Sequence, residues 1–503
     1  MALALGLGLA TLLACAREPD RQGPRAAHWL VGRTAPTFDP DGPPDEVRAA
    51  IERQLSVGLV ERDSAGVPGP GLAERHEVSP DGLVWTFHLR RGVRFTDGTP
   101  LTADAVRAAL VAGLARTDHA TRAWELAAVE GVQPDTRRIR TVGIECPDDH
   151  TVLVRLAYPA PDLLERLARP GVGVPFRTRR GSWTEAVGVG PWRVAQWREG
   201  HSLTLVAADT VVDRIASCDT LHIRFVTGAA RVLGVVRDGV GDFAWPLPAG
   251  VVDQRLPDDW RLESRPARPW RRLLLVLRGD LAPTSSLAVR ASFVEGIDRE
   301  ALGDALGVRG AIDTRWLPDA TQDVPWPLPP IAVESQGTGR RPSREPSRPV
   351  SHHIVLAYDP DGTTSDLARD LQGMWARAGH YADLRAQAGV KGVEAALARG
   401  GAQARLVEVQ DLVPEGPGVV EPWAGEEGAA VGSFRSGLRV GLTEPWEPDS
   451  CERVLVRERV VLPVARLPWL WAGRNGAPRP TVHPARGPEW WVVGTVAERP
   501  GTR

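Results

Sequence analysis

Residues Leu72–Leu110 read LAERHEVSPDGLVWTFHLRRGVRFTDGTPLTADAVRAAL and carry a dense local pattern. The part from Leu83 to Leu89 alternates apolar and polar side chains, which is typical of a β-strand buried on one face. A turn is predicted before it, because Ser79-Pro80-Asp81-Gly82 has proline at its second position and glycine at its fourth. The alternation resumes at Val93 and Phe95, and Asp97-Gly98 turns the chain again.

A helix is predicted directly after this strand pair. Thr102 can cap its first turn, and Asp104 adds a negative charge near its amino end. Val106, Leu110 and Leu114 recur four residues apart and form an apolar stripe. The stretch therefore predicts a small strand pair that leads into an amphipathic helix.

The order of these elements resembles the signature of the extracytoplasmic solute-binding proteins of family 5, the peptide/nickel type. The matching elements are Leu72-Ala73-Glu74, Ser79 to Gly82, Leu89-Arg90, Gly92 to Phe95, Thr96 to Pro100 and Thr102. The resemblance implies a mixed α/β fold with two lobes, of the periplasmic-binding-protein type II, and a small extra domain inserted in the first lobe. It also implies a binding subunit of an ATP-driven importer, which makes and breaks no bond.

Later stretches resemble the same family. Residues 188–197, GVGPWRVAQW, are similar to the strand that returns the chain to the first domain. They are not a phosphate loop, because no GxxxxGK[ST] follows and Pro191 stands where the phosphate-binding helix would begin. Leu273–Leu277 is a continuous apolar run, as expected of a strand covered on both faces. Val289 to Leu302 resembles a helical segment of the last domain.

The resemblance also implies domain boundaries. The first lobe is expected to comprise 28–61, 182–270 and 476–503, the inserted domain 62–181, and the second lobe 271–475. Residues 334–350 are rich in Gly, Ser, Pro and Arg without an apolar period, so we predict a disordered insert there.

The amino terminus resembles a bacterial lipoprotein signal peptide over residues 1–15. A short apolar run ends in Leu12-Leu13-Ala14-Cys15, and the chain then turns polar. The resemblance implies cleavage before Cys15, a lipid on its sulfur, and a tether over 16–27 that holds the protein at the outer face of a membrane. No Lys or Arg precedes the apolar run, so two alternatives stay open: a true start upstream of residue 1, or a plain apolar leader.

The composition excludes some classes of function. At 503 residues the chain can build two or three domains, and its net charge of −2 lacks the basic footprint of a nucleic-acid-binding protein. No G-x-S-x-G, H-E-x-x-H or Cys/His signature is present, so we predict neither an enzyme nor a cofactor nor a metal. Beyond Cys15, one disulfide among Cys146, Cys218 and Cys451 is possible, and the sequence does not choose the pair.

Four residues are predicted to bind the ligand. Asp411 lies where peptide-binding members of the family place an Asp that pairs with the ligand's α-amino group, although the neighbouring Tyr and second Asp of that motif are absent. Trp245 follows a predicted strand at its carboxyl end, where α/β crevices bind ligands; core packing is the alternative. Trp423 lies in the same region as Asp411. Phe38 follows the first strand, in a loop expected beside the cleft or packed on the surface.

The sequence therefore predicts a lipid-anchored, extracytoplasmic, monomeric solute-binding component of an ABC importer. It would bind a peptide or similar solute in the cleft between its lobes and be read by permease subunits. The alternative is a degenerate relative that keeps the fold but acts as a sensor or envelope scaffold, as suggested by the insert and the altered region around Asp411.

Overall fold

A computed structural model describes most of the chain. The described residues are 26–36, 46–63, 66–115, 126, 128–132, 142–168, 171–172, 174–175, 186–208, 214–247, 251, 254–279, 281–305, 351–360, 363–387, 393, 401–410, 459, 461–483 and 487–493. The predicted insert at 334–350 lies outside them. No helix within these ranges combines the length and the apolarity needed to cross a membrane.

The strands of these ranges are β1 (Ala26–Val31), β2 (Val60–Arg62), β3 (Pro68–Pro70), β4 (Ala73–Val78), β5 (Val84–Leu89), β6 (Ile144–Asp148), β7 (Thr151–Arg155), β8 (Trp192–Arg198), β9 (Ser202–Ala207), β10 (Arg214–Ala216), β11 (Thr220–Phe225), β12 (Phe243–Ala244), β13 (Trp260–Leu277), β14 (His353–Tyr358), β15 (Tyr381–Ala386), β16 (Ala404–Gln410), β17 (Val461–Arg474), β18 (Thr481–His483), β19 (Gly487–Glu489) and β20 (Trp491–Val493). The helices are α1 (Glu46–Leu55), α2 (Ala103–Ala115), α3 (Leu163–Leu167), α4 (Ala229–Arg237), α5 (Leu287–Glu295), α6 (Arg299–Ala305) and α7 (Thr363–Arg377).

In the opening stretch, the strand before Arg90 and the helix after Thr102 form as predicted, whereas Val93 and Phe95 lie outside any strand and β5 pairs with β4 instead. Strands β4, β5, β7 and β6 form a four-stranded antiparallel sheet in that order. Trp85, Phe87 and Leu89 point to its buried face, and Val106 and Leu110 of α2 pack in the same core. This core is separate from the others and includes apolar residues from 57 to 189. It therefore forms a small layered unit of one sheet and one helix.

A ten-stranded sheet runs through the rest of the molecule. Its order is β15-β14-β16-β13-β17-β12-β1-β11-β9-β8. The two longest strands, β13 and β17, are antiparallel neighbours at its centre. One core lies over the half with β1, β11, β9 and β8, and another lies over the half with β14 and β16. Each half with its core is one lobe.

Tryptophan dominates the core of the first lobe. Trp29, Trp192, Trp245 and Trp490 are completely buried there. The described end of the chain, up to residue 493, packs on this lobe: the indole Nε1 of Trp192 donates a hydrogen bond of 3.0 Å to the carbonyl of Trp490. Gln54 of α1 also holds this segment, since its amide donates to the carbonyl of Pro488 at 2.9 Å and accepts from the Trp490 N–H at 3.2 Å.

The glycines before β8 allow two segments to lie in contact. A Cβ on Gly188 would come 2.0 Å from the carbonyl oxygen of Leu55, and one on Gly190 would come 2.5 Å from the carbonyl carbon of the same residue. The N–H of Gly190 donates to that oxygen at 2.8 Å. The motif thus packs β8 against the end of α1, which is a structural role and not phosphate binding.

In the described part of the second lobe, the strand expected at Leu273–Leu277 is present, and the segment expected to be helical forms two helices, α5 and α6. Leu273–Leu277 of β13 is buried on both faces, because α5 and α7 pack on the sheet there. Trp375 of α7 is completely buried and its Nε1 donates to the carbonyl of Phe293 at 2.7 Å. Helix α7 ends near Gly379, whose φ of +86° suits glycine at a helix end.

Two predicted boundaries differ from the structure. Residues 26–27 were expected in the tether, but both belong to β1, and Ala27 pairs with Leu221 and is buried. Residues 468–474 were expected in the second lobe. They pair with Trp260–Pro266, and Trp469 and Trp471 pack in the first-lobe core. Strand β17 therefore belongs to both lobes.

Each lobe contains a stacked pair of histidines. His28 and His222 have ring centroids 5.0 Å apart, and His352 and His380 are 5.7 Å apart. Burial, with a smaller contribution from the neighbouring histidine, lowers the pKa of both His222 and His380 below the ordinary value. The folded state therefore favours their neutral forms.

We expect the free energy of unfolding to decrease as the pH is lowered below about 6.5. In this range the unfolded chain binds more protons than the folded chain, because folding lowers the pKa of both histidines. Denaturant titrations between about pH 7.5 and 5 should show this slope. The double variant His222→Gln/His380→Gln should have a flatter profile, whereas His201→Gln, at an exposed hairpin, should not. Identical slopes for the double variant and the parent would contradict the assignment.

Candidate ligand-binding site

The parallel strands of the first lobe end at one edge of the sheet. Strand β1 runs parallel to both β11 and β12. The residues that follow them are Gly32, Val226 and Trp245. Backbone hydrogen bonds tie these ends together, from Gly32 N–H to the Pro246 carbonyl at 3.1 Å and from Val226 N–H to the Val31 carbonyl at 2.9 Å. Such an edge is where open α/β sheets bind ligands.

The parallel strands of the second lobe end at a sheet edge that faces the corresponding edge of the first lobe. Strand β14 is parallel to β15 and β16. The last residue of β16, Gln410, pairs with Arg271 of β13, and the last residue of β12, Ala244, pairs with Ala472 of β17. Both sets of carboxyl ends therefore point at the middle of the β13–β17 pair, and the two edges face each other there.

The middle of the β13–β17 pair is irregular. Pro266 pairs with Pro468 and Arg271 with Leu467, so 267–270 form an interruption in the ladder. Proline lacks an N–H and cannot donate to a ladder, so the pairing is weakest at this point. Within the described residues, these two strands carry the chain between the lobes. They are the natural position for a hinge.

Trp245 lies at the facing edge but is covered in this structure. Its ring stacks on Trp469 with centroids 4.9 Å apart and 6° between the planes. Its carbonyl accepts a hydrogen bond of 2.8 Å from the Nε1 of Trp29. A Cβ on Gly487 would come 2.9 Å from its ring, so the indole fits closely against the backbone. The Nε1 of Trp245 is buried without a hydrogen-bond partner in the described part of the chain.

The other predicted ligand residues lie outside the described residues. Asp411 follows Gln410, the last residue of β16, directly in sequence, and Phe38 follows β1 by seven residues. Their parent strands end at the two facing edges. Trp423 has no described neighbour close in sequence, and Cys15 is also outside these ranges. The ligand-binding roles of Asp411, Trp423, Trp245 and Phe38 therefore stay predictions.

Trp469 is the site neighbour that the sequence interpretation missed. It lies on β17 one residue beyond Pro468, where this strand passes from the second lobe to the first. The available signal was the alternation of Trp469 and Trp471 in LPWLWAGR, which is typical of a strand with one aromatic face. Residues up to 475 were instead assigned to the second lobe, so Trp469 was not connected with Trp245.

A small pocket lies elsewhere, between α1 and the inserted domain. Its lining includes Glu52, Ser56, Gly58 and Glu61. The carboxylate of Glu61 accepts from the Gly58 N–H at 3.0 Å and from Arg214 at 2.6 Å. Because its lining combines α1 with residues of the inserted domain, the pocket lies at a junction between domains.

The described cysteines are free thiols. Cys146 is half-buried and Cys218 is buried. Burial raises the pKa of Cys218 to about 11, so its thiolate is scarce at neutral pH. Cys451 lies outside the described residues. No group of three or more His, Cys, Asp or Glu side chains within these ranges is arranged to hold a metal ion.

The fold and the facing edges define a two-lobed solute-binding protein. Residues 67–429 match the family model described as "Bacterial extracellular solute-binding proteins, family 5 Middle". Because this match covers most of the chain, the chain belongs to the family 5 bacterial extracellular solute-binding proteins.

Two curated relatives match part of the chain. The periplasmic oligopeptide-binding protein OppA of Salmonella typhimurium is 30% identical over 192 residues, which are 35% of this chain and 34% of OppA. The probable deoxycholate-binding periplasmic protein YgiS of Escherichia coli is 27% identical over 314 residues, 56% of this chain and 55% of YgiS. The chain thus spans about a third to a half of the length of these relatives.

Solved structures confirm the two-lobed mixed α/β fold. The murein tripeptide-binding protein MppA of Escherichia coli superposes with a TM-score of 0.72 at 18% identity, over 93% of this chain and 97% of MppA. The unliganded open form of MppA gives 0.56 over 93% of this chain and 96% of that one.

Proposed function

We propose that this protein is the membrane-anchored solute-binding component of an ABC importer. It would bind a peptide or a similar small solute in the cleft between its lobes. The observation that carries the proposal is the convergence of the parallel strands of both lobes on the β13–β17 pair. Two sheet edges that face each other can enclose a ligand. The β13–β17 pair between them can bend, which allows the two lobes to approach each other.

The mechanism would be closure of the lobes without chemistry. Periplasmic binding proteins are a standard example of hinge closure around a ligand. A ligand that contacts both lobes stabilises the closed state relative to the open state, so it shifts the population towards closure. The interruption at 267–270 is where we place the bending. The permease subunits would then recognise the closed form.

The proposed ligand contacts are of two kinds, one carboxylate and three aromatic side chains. Asp411 would accept hydrogen bonds from a cationic amino group, and a carboxylate enclosed away from water interacts with a cation more strongly than an exposed one. Trp245, Trp423 and Phe38 would supply flat apolar surface. OppA, an oligopeptide-binding protein by name, supports peptides as the first ligands to test. YgiS supports including amphipathic acids such as deoxycholate.

The location would be extracytoplasmic, with Cys15 as the lipid carrier. The periplasmic location of OppA supports this placement. Mass spectrometry of the amino-terminal peptide from membranes tests the anchor: a diacylated Cys15 is expected, and an unmodified or uncleaved peptide would contradict it. We expect a monomer that has no enzymatic activity.

Peptide binding is expected to raise the melting temperature of the purified chain. A ligand at a hundred times its Kd stabilises the folded state by about 2.7 kcal/mol. Peptide pools screened by thermal shift should therefore include hits, and calorimetry then gives their Kd. Asp411→Asn should raise the Kd for a hit with a free amino terminus by about 10- to 100-fold, because it removes a charge-assisted hydrogen bond.

Asp366→Asn is the matched control for this experiment. Asp366 is an exposed residue of α7 in the same lobe, paired with the exposed Arg369 at 3.2 Å. Its replacement should leave the Kd unchanged. An absence of thermal shift with peptides, amino acids, bile acids and metals would refute the transport proposal and favour a sensor or scaffold that keeps the fold.

A further inference from the structure

One face of the first-lobe sheet is open to solvent over three strands. In β11 and β9 the residues Leu203, Leu205, Leu221 and Ile223 point into the tryptophan-rich core. The alternate residues point the other way. On this outer side, helix α4 shares a core with Leu30 of β1, Val226 at the end of β11 and residues of β12, β13 and β17, but with no residue of β8 or β9. The outward positions of β8, β9 and β11 are partly or fully exposed.

The open face is positively charged. We define the cationic sheet face by its outward residues Arg193, Gln196, Arg198, Ser202, Thr204, Val206, Thr220, His222, Arg224 and His28. The arginines are exposed, and none of these positions is a carboxylate. Ser202 pairs in register with both Arg198 and Arg224, so the two arginines flank a hydroxyl across three strands. Their backbones are about 10 Å apart, two strand spacings.

The arginines of this face are available to a partner. The ion pairs at its edge join His28 to Asp242 at 3.1 Å and Asp242 to Arg474 at 2.6 Å. Among the described residues, no such pair involves Arg193, Arg198 or Arg224. An exposed cluster of like charges repels itself, so it contributes nothing to folding that would explain its presence.

We propose that the cationic sheet face rests on the anionic headgroups of the membrane to which the protein is tethered. This inference rests on the proposed lipid anchor at Cys15 for the position of the membrane. Residues 16–25 separate Cys15 from Ala26, the first residue of β1, which borders the face. Ten residues span at most about 35 Å when fully extended. The tether thus keeps the face within reach of the headgroups.

The size of the patch fits a second, weak membrane signal. Each arginine near an anionic leaflet contributes about fivefold in partitioning, so three contribute about 100-fold. Membrane-anchored proteins commonly combine a lipid with a basic patch in this way. Because β8, β9 and β11 belong to the first lobe alone, contact through this face leaves the second lobe free to close.

Vesicle sedimentation tests the proposal. The full chain with Cys15→Ala has no sulfur at residue 15 to carry a lipid, so its binding to vesicles reports on the cationic sheet face. We expect it to bind vesicles of phosphatidylcholine with phosphatidylglycerol, to bind less at high salt, and not to bind vesicles of phosphatidylcholine alone. Adding Arg193→Gln, Arg198→Gln and Arg224→Gln should weaken binding by about 100-fold. The corresponding triple lysine variant should retain it, because the charge is kept.

A matched control has three other exposed arginines replaced, with Arg91→Gln, Arg261→Gln and Arg377→Gln. These residues lie in the inserted domain, on the opposite side of the sheet and in the second lobe. The binding of this variant to the anionic vesicles should be weaker than that of the Cys15→Ala parent by well under tenfold. Its net charge equals that of the test variant, so equal losses in both would overturn the proposal.

Two further outcomes overturn the proposal. One is no binding of the Cys15→Ala chain to anionic vesicles even at low salt. The other is that the Cys15→Ala chain binds double-stranded DNA as tightly as it binds anionic vesicles, and that the same three substitutions abolish DNA binding. The partner of the face would then be a soluble polyanion and not a membrane. Peptide-induced thermal shifts should be the same in the triple glutamine variant and its parent. This readout separates failure of the face from failure of the proposed solute-binding function and also reports folding.

Discussion

Replacing Trp245 by alanine is expected to lower the free energy of unfolding by about 3–5 kcal/mol. The side chain is completely buried and stacks on Trp469, so its removal leaves a cavity in the first-lobe core. The surrounding residues cannot close it easily, because Gly487 and its backbone already lie against the ring. Denaturant titration followed by circular dichroism measures the loss.

The phenylalanine variants of two tryptophans provide the control. Trp375 in the second lobe is equally buried, but its Nε1 donates to the Phe293 carbonyl, whereas the Nε1 of Trp245 is unpaired within the described residues. Trp375→Phe should therefore be the more destabilising of the two by about 1 kcal/mol. If Trp245→Ala costs less than Trp245→Phe, or neither changes stability, the core role is refuted.

The phenylalanine variants of Trp245 and Trp375 also test whether Trp245 contacts the ligand. Trp245→Phe keeps an aromatic ring but removes the one donor of the side chain. If that donor binds the ligand in the cleft, the Kd for a peptide should rise by about tenfold while Trp375→Phe leaves it unchanged. An unchanged Kd for Trp245→Phe would leave Trp245 a core residue only.

Replacing Gln54 by leucine is expected to cost about 2–6 kcal/mol and to release the carboxyl-terminal segment. The Gln54 side chain is completely buried, and leucine is of similar size but makes no hydrogen bond. The Pro488 carbonyl and the Trp490 N–H then stay buried without this partner, at about 1–3 kcal/mol each. Denaturant titration gives the cost, and limited proteolysis should cut near 487–493 in the variant first.

Gln372→Leu is the control for Gln54→Leu. Gln372 makes one hydrogen bond, from its Nε2 to the Ala382 carbonyl at 2.7 Å, and is half-buried. Its replacement should cost about 1 kcal/mol and leave the carboxyl-terminal segment protected. Equal stability losses in both variants, with equal proteolysis, would show that Gln54 does not hold the tail.

The inserted domain was the part most completely predicted from sequence. Its strand period, turn and helix stripe lie within one short stretch, so each local preference agrees with its neighbours. Gly82 donates its N–H to the Ser79 carbonyl at 2.8 Å, as the predicted turn requires. Phe87 and Val106 are completely buried, as their periods predicted.

The candidate site was predicted less completely, because its parts come from distant segments. Trp245 was identified from its place after a strand, but its stacking on Trp469 joins residues more than two hundred positions apart. No local period reports such a contact. The family resemblance located Asp411, and the end of β16 at Gln410 gave that position a structural context that the sequence lacked.

By itself, the sequence determined the family, the elements and the local turns, because these depend on side-chain period and on residues that follow one another along the chain. Only the tertiary structure decided where the lobes meet. Strand β17 pairs with the first half of β13 in one lobe and with the second half in the other, and 267–270 interrupt the ladder between them. That division depends on register between strands far apart in sequence, and pairing across such a distance leaves no mark in either strand alone.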